Sequence, residues 1–131
     1  MQKALPLIPD GGSIILNASI VASTGNPAFS VYSATKAAIR SFARTWILDL
    51  KERKIRVNAI SPGPIATPGL DGLAHAEGVG DEFAASMIAG VPLGRFGTAD
   101  EIARAAVFLA SDDASFVTGT EMFVDGGAAQ I

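Results

Sequence analysis

Three side chains, Ser19, Tyr32 and Lys36, have the types and spacing to move a proton together. On a helix, residues i and i+4 lie on one face with Cβ atoms roughly 5–6 Å apart, so Tyr32 and Lys36 would present a phenol beside an ammonium. A close cation and the positive end of a helix dipole both favour the ionised phenol. Such a phenol is suited to general acid or base catalysis near neutral pH. Ser19, which ends an apolar run, adds a hydroxyl that could hold a substrate oxygen.

Each of these features also has a purely structural explanation. A Tyr-x-x-x-Lys pair often arises by chance, and a serine after a strand is commonly a cap or a turn hydroxyl. The single histidine, His75, cannot build a metal site and is interpreted as a loop residue, so no metal is expected. The elements that carry the three side chains must therefore decide between chemistry and structure.

The bulk composition predicts one soluble globular domain. The chain has 131 residues, of which 49% are hydrophobic and 18% charged, and its net charge is −3. There is no basic excess that would indicate nucleic acid as a partner. The absence of cysteine excludes a disulfide framework and favours a cytoplasmic location. No apolar run reaches the roughly 20 residues of a membrane helix, and the start has no signal-peptide pattern, so no membrane is expected.

The first half of the chain reads as strand, helix and strand. Residues 13–18 form a continuous apolar run that suits a buried strand, and residues 31–53 contain no glycine or proline, which predicts a long helix. Residues 55–61 predict a second strand, stopped by Pro62-Gly63-Pro64. This order is a βαβ unit with a right-handed crossover, so the sheet is predicted to be parallel and the fold class α/β.

The long helix is predicted to bury a broad apolar stripe, with its basic residues facing elsewhere. The stripe consists of Ala34, Ala38, Phe42, Trp46 and Leu50, with Ala43 and Ile47 beside them, and the basic residues are Arg40, Arg44 and Lys51.

In the second half, residues 66–97 are rich in glycine and proline and are predicted to form a lid or binding loop. The helical tendency there is limited to 81–89, where the apolar side chains are interpreted as ordinary packing. Thr98 and Glu101 form a capping box that predicts the start of an amphipathic helix ending near residue 111. Residues 121–125 predict the last strand.

These features, in this order, resemble the C-terminal half of a short-chain dehydrogenase/reductase. Each motif is weak alone, but the ordered set covers nearly the whole chain. The matching segments are Asn17-Ala18-Ser19, Tyr32-x-x-x-Lys36, the run from Arg56 to Thr67 with its Pro-Gly-x-x-x-Thr pattern, Pro92 to Gly97, Glu101-Ile102-Ala103, Phe108 to Ser111, Val117-Thr118-Gly119 and Val124 to Gly127.

The resemblance implies a role for each matching residue. Tyr32 would donate a proton in carbonyl reduction and accept one in alcohol oxidation, and Ser19 would hold the substrate oxygen. Lys36 would bind the ribose hydroxyls of the nicotinamide coenzyme, NAD or NADP, and assist Tyr32. Further cofactor contacts would come from Tyr32 itself and from Pro62, Gly63, Ile65 and Thr67, although Pro62-Gly63 also reads as a plain strand-ending turn.

The family's glycine-rich pyrophosphate loop has no counterpart in these 131 residues, nor does the residue that selects NAD or NADP. The resemblance therefore implies a single partial domain over 1–131, an incomplete Rossmann-like, doubly wound parallel sheet with the family's strands 5, 6 and 7. The first strand would leave a bare apolar edge, so a homo-oligomer is expected.

Three functions remain open at this stage. The chain could be part of an NAD(P)-dependent oxidoreductase that acts on a small-molecule carbonyl or alcohol. It could be a truncated remnant that keeps the catalytic residues Ser19, Tyr32 and Lys36 but is inactive alone. It could also serve as an oligomerising or interaction module.

Overall fold

A three-stranded parallel sheet forms the centre of the molecule, for which a computed structural model describes residues 1–70 and 80–131. The strands are β1 (Ser13–Asn17), β2 (Arg56–Pro62) and β3 (Glu121–Val124), in the spatial order β1-β2-β3. Both pairings are parallel, so the predicted α/β class and parallel sheet are confirmed.

The register brings the carboxyl ends of the strands to one edge of the sheet. Asn17 of β1 pairs with Ile60, and Pro62 of β2 pairs with Val124. In open α/β sheets, ligands bind outside the carboxyl ends of the strands. A ligand-binding site is therefore expected at the edge that carries Asn17 and Pro62.

Helices cover both faces of the sheet, as in a doubly wound fold. Helix α1 (Ser30–Asp49) connects β1 to β2 and packs on one face, and α3 (Ala99–Ala110) packs on the other. Helix α2 (Gly80–Ala89) precedes α3. The helix predicted over 31–53 ends at Asp49, and a short 3₁₀ turn, Lys51–Arg53, completes the connection to β2.

The hydrophobic core consists of two clusters, one on each face of the sheet. β2 alternates its side chains between them, as a strand covered on both faces must. Its inner residues are fully buried, whereas β1, the strand predicted to be buried, is only partly covered. The α1 face is formed by Ile14, Ala18, Ala43, Leu50, Ile55, Val57 and Ala59, and the α3 face by Ile60, Leu109 and Ala114.

The predicted apolar stripe of α1 is partly wrong. Ala34, Ala38 and Phe42 are exposed, whereas Ala43 and Leu50 are buried and Trp46 and Ile47 pack against the core as predicted. The face centred on Ala43 also carries Arg40, whose side chain is only 17% exposed and therefore does not face elsewhere as predicted. Arg40 can lie against the sheet because a carboxylate on β3 balances its charge, which a periodicity of hydrophobic residues does not reveal.

Helix α3 begins and ends as its sequence predicts. The Thr98 hydroxyl accepts from the Glu101 amide at 3.3 Å, while a Glu101 carboxylate oxygen accepts from the Thr98 amide at 2.8 Å. At the other end, the Arg56 guanidinium donates to the main-chain oxygens of Leu109 and Ser111 at 2.7 and 3.0 Å. The capping box is confirmed, and a residue of β2 holds the last carbonyls.

The segment 66–97 is described in part. Helix α2 confirms the helical tendency of residues 81–89, whereas His75 lies outside the described residues. The role of this segment as a lid stays a prediction. Among the described helices, none is long and apolar enough to cross a membrane.

Candidate active site

Tyr32 lies in the first turn of α1, which begins at Ser30. Its side chain is 46% exposed, and the Phe29 ring meets it edge-on with centroids 5.9 Å apart. Lys36 lies one turn further along, with its Nζ 5.6 Å from the centre of the Tyr32 ring. The helix therefore presents the phenol and the ammonium on one face, and the predicted i, i+4 arrangement is present.

Lys36 also contacts the end of β1. Its Nζ donates a hydrogen bond to the main-chain oxygen of Asn17 at 3.2 Å. An ammonium has three N–H donors, so two remain for a ligand. Because Asn17 is the last residue of β1, this bond fixes the amino group of Lys36 over the carboxyl edge of the sheet.

Ser19 follows β1 by two residues and caps the 3₁₀ turn Ile20–Ala22. Its Oγ accepts from the Val21 amide at 3.4 Å, so the serine does act as a cap, the structural alternative considered above. That bond uses a lone pair of the oxygen, which leaves the hydroxyl hydrogen to donate. The turn packs against α1, and so it brings Ser19 to the helix that carries Tyr32 and Lys36.

Pro62 and Gly63 lie where β2 ends beside β3. The Gly63 amide donates to the Val124 oxygen at 3.0 Å, which extends the ladder by one bond. A Cβ on Gly63 would lie 2.6 Å from the Cα of Asp125, so only glycine fits there without movement. The structural reading of Pro62-Gly63 as a strand-ending turn is therefore justified, and a cofactor contact would come in addition to it.

Ile65 and Thr67 lie further along the chain that leaves β2. Ile65 forms a parallel bridge with Gly97, and the Gly97 amide donates to the oxygen of Pro64 at 2.9 Å. Thr67 Oγ1 accepts from the amide of Leu70 at 3.3 Å. Both predicted residues thus lie on the segment that continues from the carboxyl end of β2, beyond the edge of the sheet.

A cavity of about 230 Å³ lies between this segment, the 91–97 turn and the end of β3. Of the seven predicted site residues, it is lined by Ile65 alone, so it is separate from the group formed by Ser19, Tyr32 and Lys36. Its lining is Pro64, Ile65, Leu93, Arg95, Gly97, Glu101, Phe123, Val124, Asp125 and Gly126.

Two charged groups at that cavity, Arg95 and Glu101, are paired with each other, whereas the Asp125 carboxylate accepts from the amides of Gly127 and Ala129. Arg95 donates to both carboxylate oxygens of Glu101, at 3.0 and 2.7 Å. The hydrogen bond from Arg95, followed by that from the Thr98 amide, lowers the pKa of Glu101 to about 2, and the same bond raises the pKa of Arg95. This pair stabilises the turn before α3 and presents no free charge to a ligand.

Sequence reasoning missed a polar cluster between α1 and the sheet. Glu121, the first residue of β3, accepts from Arg40, Ser61 and Ser23. Ser61 is completely buried, directly before Pro62. The available signal was a carboxylate at the start of the last strand and a hydroxyl near the end of β2, because buried polar groups require partners.

The donor set at the carboxyl edge fits a nicotinamide coenzyme. Lys36 has N–H donors left for ribose hydroxyls. Tyr32 is exposed at the same edge. Among residues 1–70 and 80–131, no group of three or more metal-ligating side chains occurs.

Comparisons with known proteins support the same interpretation. The family model described as "Enoyl-(Acyl carrier protein) reductase" matches residues 1–129. Oxidoreductase asL5 of Sarocladium schorii is 45% identical over 100% of this chain and 51% of its own length. The 3-oxoacyl-(acyl-carrier-protein) reductase FabG of Thermotoga maritima is 40% identical over 88% of this chain and 45% of its own length.

A solved structure has the same arrangement of strands and helices. The short chain dehydrogenase family protein from Francisella tularensis superimposes with a TM-score of 0.90 at 30% identity, over 99% of this chain and 56% of that one. The chain thus spans about half the length of the curated relatives it matches. The match over residues 1–129, together with the fold and the serine, tyrosine and lysine at one edge of the sheet, shows that the chain belongs to the short-chain dehydrogenase/reductase family.

Proposed function

We propose that this chain supplies the catalytic side chains of an NAD(P)-dependent oxidoreductase that reduces a small-molecule carbonyl or oxidises the corresponding alcohol. The observation that carries the proposal is the placement of Lys36, whose Nζ lies over the carboxyl edge of the sheet and 5.6 Å from the Tyr32 ring. The names of the relatives support the reaction class, since a 3-oxoacyl group is a carbonyl substrate.

Each side chain then has a defined task. Tyr32 transfers its phenolic proton to the carbonyl oxygen during reduction and takes the alcohol proton in the reverse direction. Ser19 donates a hydrogen bond to the same substrate oxygen and stabilises the negative charge that develops there. Lys36 places a positive charge beside the Tyr32 ring, 5.6 Å from its centre, because both side chains lie on the same face of α1.

The coenzyme would be held at the same edge. Lys36 would bind the ribose hydroxyls, Pro62 and Gly63 would border the nicotinamide ring, and Ile65 and Thr67 would contact its carboxamide. When bound, the coenzyme supplies or accepts the hydride, and the protein orients it. The segment 66–97 is proposed as the lid that determines substrate choice, and the absence of cysteine supports a cytoplasmic location.

The test is a fluorescence titration of the purified chain with NADH and NADPH. We expect saturable binding that is lost in Lys36→Met and retained in Tyr32→Phe, while Lys51→Met, an exposed lysine elsewhere on the chain, serves as the control. Tyr32→Phe should abolish turnover of a panel of ketones and 3-oxoacyl thioesters. No binding up to millimolar coenzyme would refute the proposal for this chain.

A second candidate function is association with another protein copy. The observation that favours it is the exposure of large apolar side chains along α1, where Val31, Phe42 and Leu48 are 77%, 48% and 68% exposed. In the described sheet, β1 is moreover an edge strand. In this role the chain would be an inactive, truncated relative that forms homo-oligomers.

Sedimentation velocity tests the association. We expect a species larger than a monomer at micromolar concentration, which Phe42→Glu dissociates because it places a charge on the apolar surface. Thr45→Glu, an exposed polar position of the same helix, is the matched control. A monomer throughout the concentration range would rule this function out.

A further inference from the structure

One carboxylate, that of Glu121, accepts hydrogen bonds from three segments that carry proposed catalytic or coenzyme-binding residues. Its oxygens accept from Arg40 Nε at 3.1 Å, from Ser61 Oγ at 2.7 Å and from Ser23 Oγ at 3.4 Å. Arg40 belongs to α1, Ser61 to β2 and Ser23 to the chain between β1 and α1. These three donors are separated by up to 38 residues in the sequence (61 − 23), and they meet at one side chain.

Each donor is separated from a proposed site residue by four residues or fewer along the chain. Arg40 follows Lys36 by four residues, which is about one helical turn on the same face of α1. Ser23 follows Ser19 by four residues, across the turn that Ser19 caps. Ser61 is followed directly by Pro62. A displacement of the Glu121 carboxylate would therefore shift the Lys36 amine, the Ser19 hydroxyl and the segment of Pro62 together.

The Arg40, Glu121 and Ser61 part of the cluster is protected from water and depends on the charge of Glu121, whereas Ser23 is exposed. The side chains of Arg40 and Glu121 are 17% and 12% exposed, and Ser61 is fully buried. Arg40 Nη1 is buried without a hydrogen-bond partner in the described part of the chain. Removing the carboxylate charge would leave the guanidinium uncompensated in a poorly solvated position, which forces Arg40 to move.

We propose that Glu121 is a positioning residue for the dehydrogenase site: through Arg40, Ser23 and Ser61 it holds the segments of Lys36, Ser19 and Pro62 in register. The effect of Glu121 on catalysis rests on the proposed function. The geometry on which it depends, three donors from three segments on one carboxylate, does not require a coenzyme.

The positioning role of Glu121 can be tested by a measurement that does not depend on enzymatic activity. Tyr32 is its single tyrosine, so an NMR spectrum of the chain with isotope-labelled tyrosine reports on one ring. That ring is eight residues from Arg40 along α1, roughly 12 Å at 1.5 Å per residue, and so it does not sense the substitution directly. A change in its signals reports a shift of the helix against its surroundings.

The decisive variant is Glu121→Gln, compared with Arg56→Met. Both remove a charged, hydrogen-bonded group of the sheet, but Arg56 lies at the opposite end of β2 from Ser61. We expect Glu121→Gln to move the Tyr32 ring signals by more than a line width and to weaken NADH binding about tenfold or more, as misplacement of binding groups does. Arg56→Met should lower stability and leave the ring signals in place.

Superimposable ring signals in wild type and Glu121→Gln would overturn the positioning role, as would equal shifts in Arg56→Met. If Glu121→Gln does not fold, Ser61→Ala is the alternative variant, because it removes only the 2.7 Å hydrogen bond from Ser61 to Glu121. We then expect a folded protein in which the Tyr32 ring signals shift by a smaller amount. If the wild-type chain binds neither NADH nor NADPH, the proposed function fails, while the ring signals still decide whether Glu121 positions Tyr32.

Discussion

Lys36 Nζ donates to the main-chain oxygen of Asn17 at 3.2 Å, and this bond joins the helix that carries Tyr32 to the carboxyl end of β1. The same ammonium lies 5.6 Å from the centre of the Tyr32 ring and has two N–H donors left. The position of the amine is therefore set by two elements at once, the first turns of α1 and the end of a strand.

Lys36→Arg should fail to support coenzyme binding although it preserves the charge. A guanidinium is planar and larger than an ammonium, so it cannot keep the Asn17 bond and the same placement beside Tyr32. We expect NADH affinity to fall at least tenfold, as for an interaction lost by about 1.4 kcal/mol. Lys51→Arg, on an exposed position, should bind as wild type does, and equal affinity in Lys36→Arg would contradict the geometric argument.

Gly63→Ala should destabilise the fold, because its Cβ would lie 2.6 Å from the Asp125 Cα and force β2 and β3 apart. Overpacking of this kind typically costs about 1–3 kcal/mol of unfolding free energy. Gly25→Ala is the matched control, since a Cβ at Gly25 meets no atom within 4 Å. Urea denaturation measures both variants, and similar stability for the two would show that the strands tolerate the added methyl group.

Arg56→Met should destabilise the chain by about 2–4 kcal/mol, because charge-assisted bonds to main-chain carbonyls contribute more than neutral ones. The guanidinium holds the oxygens of Leu109 and Ser111, at the end of α3. Arg104→Met removes only an exposed ion pair with Asp100 at 3.9 Å and should change stability by less than about 1 kcal/mol. Equal losses of unfolding free energy would refute the capping role of Arg56.

Glu101→Gln should have a pH-dependent effect on thermal stability. Hydrogen bonds from Arg95 and from the Thr98 amide lower the folded-state pKa of Glu101 to about 2, below the value of about 4.3 for a free glutamate. A lowered carboxyl pKa contributes stability above the unfolded-state pKa, and this contribution is lost as pH falls toward 2. The melting temperature of Glu101→Gln should therefore lie below that of wild type at pH 7.

Acidification should narrow the difference in melting temperature between wild type and Glu101→Gln, mainly between about pH 4 and pH 2. Circular dichroism melts over this range measure it. Asp100→Asn is the control, because the Asp100–Arg104 pair is highly exposed and long. A difference that stays constant with pH would show that the Arg95 and Thr98 bonds are not formed in solution.

Much of the fold could be predicted from local patterns. The capping box of Thr98 and Glu101 and the strand, helix, strand order are confirmed because they depend on neighbours within a few residues. The burial of α1 was less predictable. Its hydrophobic spacing indicated Phe42 as a core residue, yet that side chain is 48% exposed, since the face of the helix that meets the sheet is the one centred on Ala43.

The contacts of the candidate site likewise fall into those that local spacing predicts and those that it does not. Local spacing was enough to predict that Tyr32 and Lys36 share a helix face and that Ser19 follows a strand, because a four-residue separation on a helix has one geometry. The contact of Lys36 with Asn17 and the orientation of Arg40 toward Glu121 depend instead on how the elements pack together. Those contacts join residues up to 81 positions apart, and a buried charge chooses its orientation by the partner it finds there, which no local pattern contains.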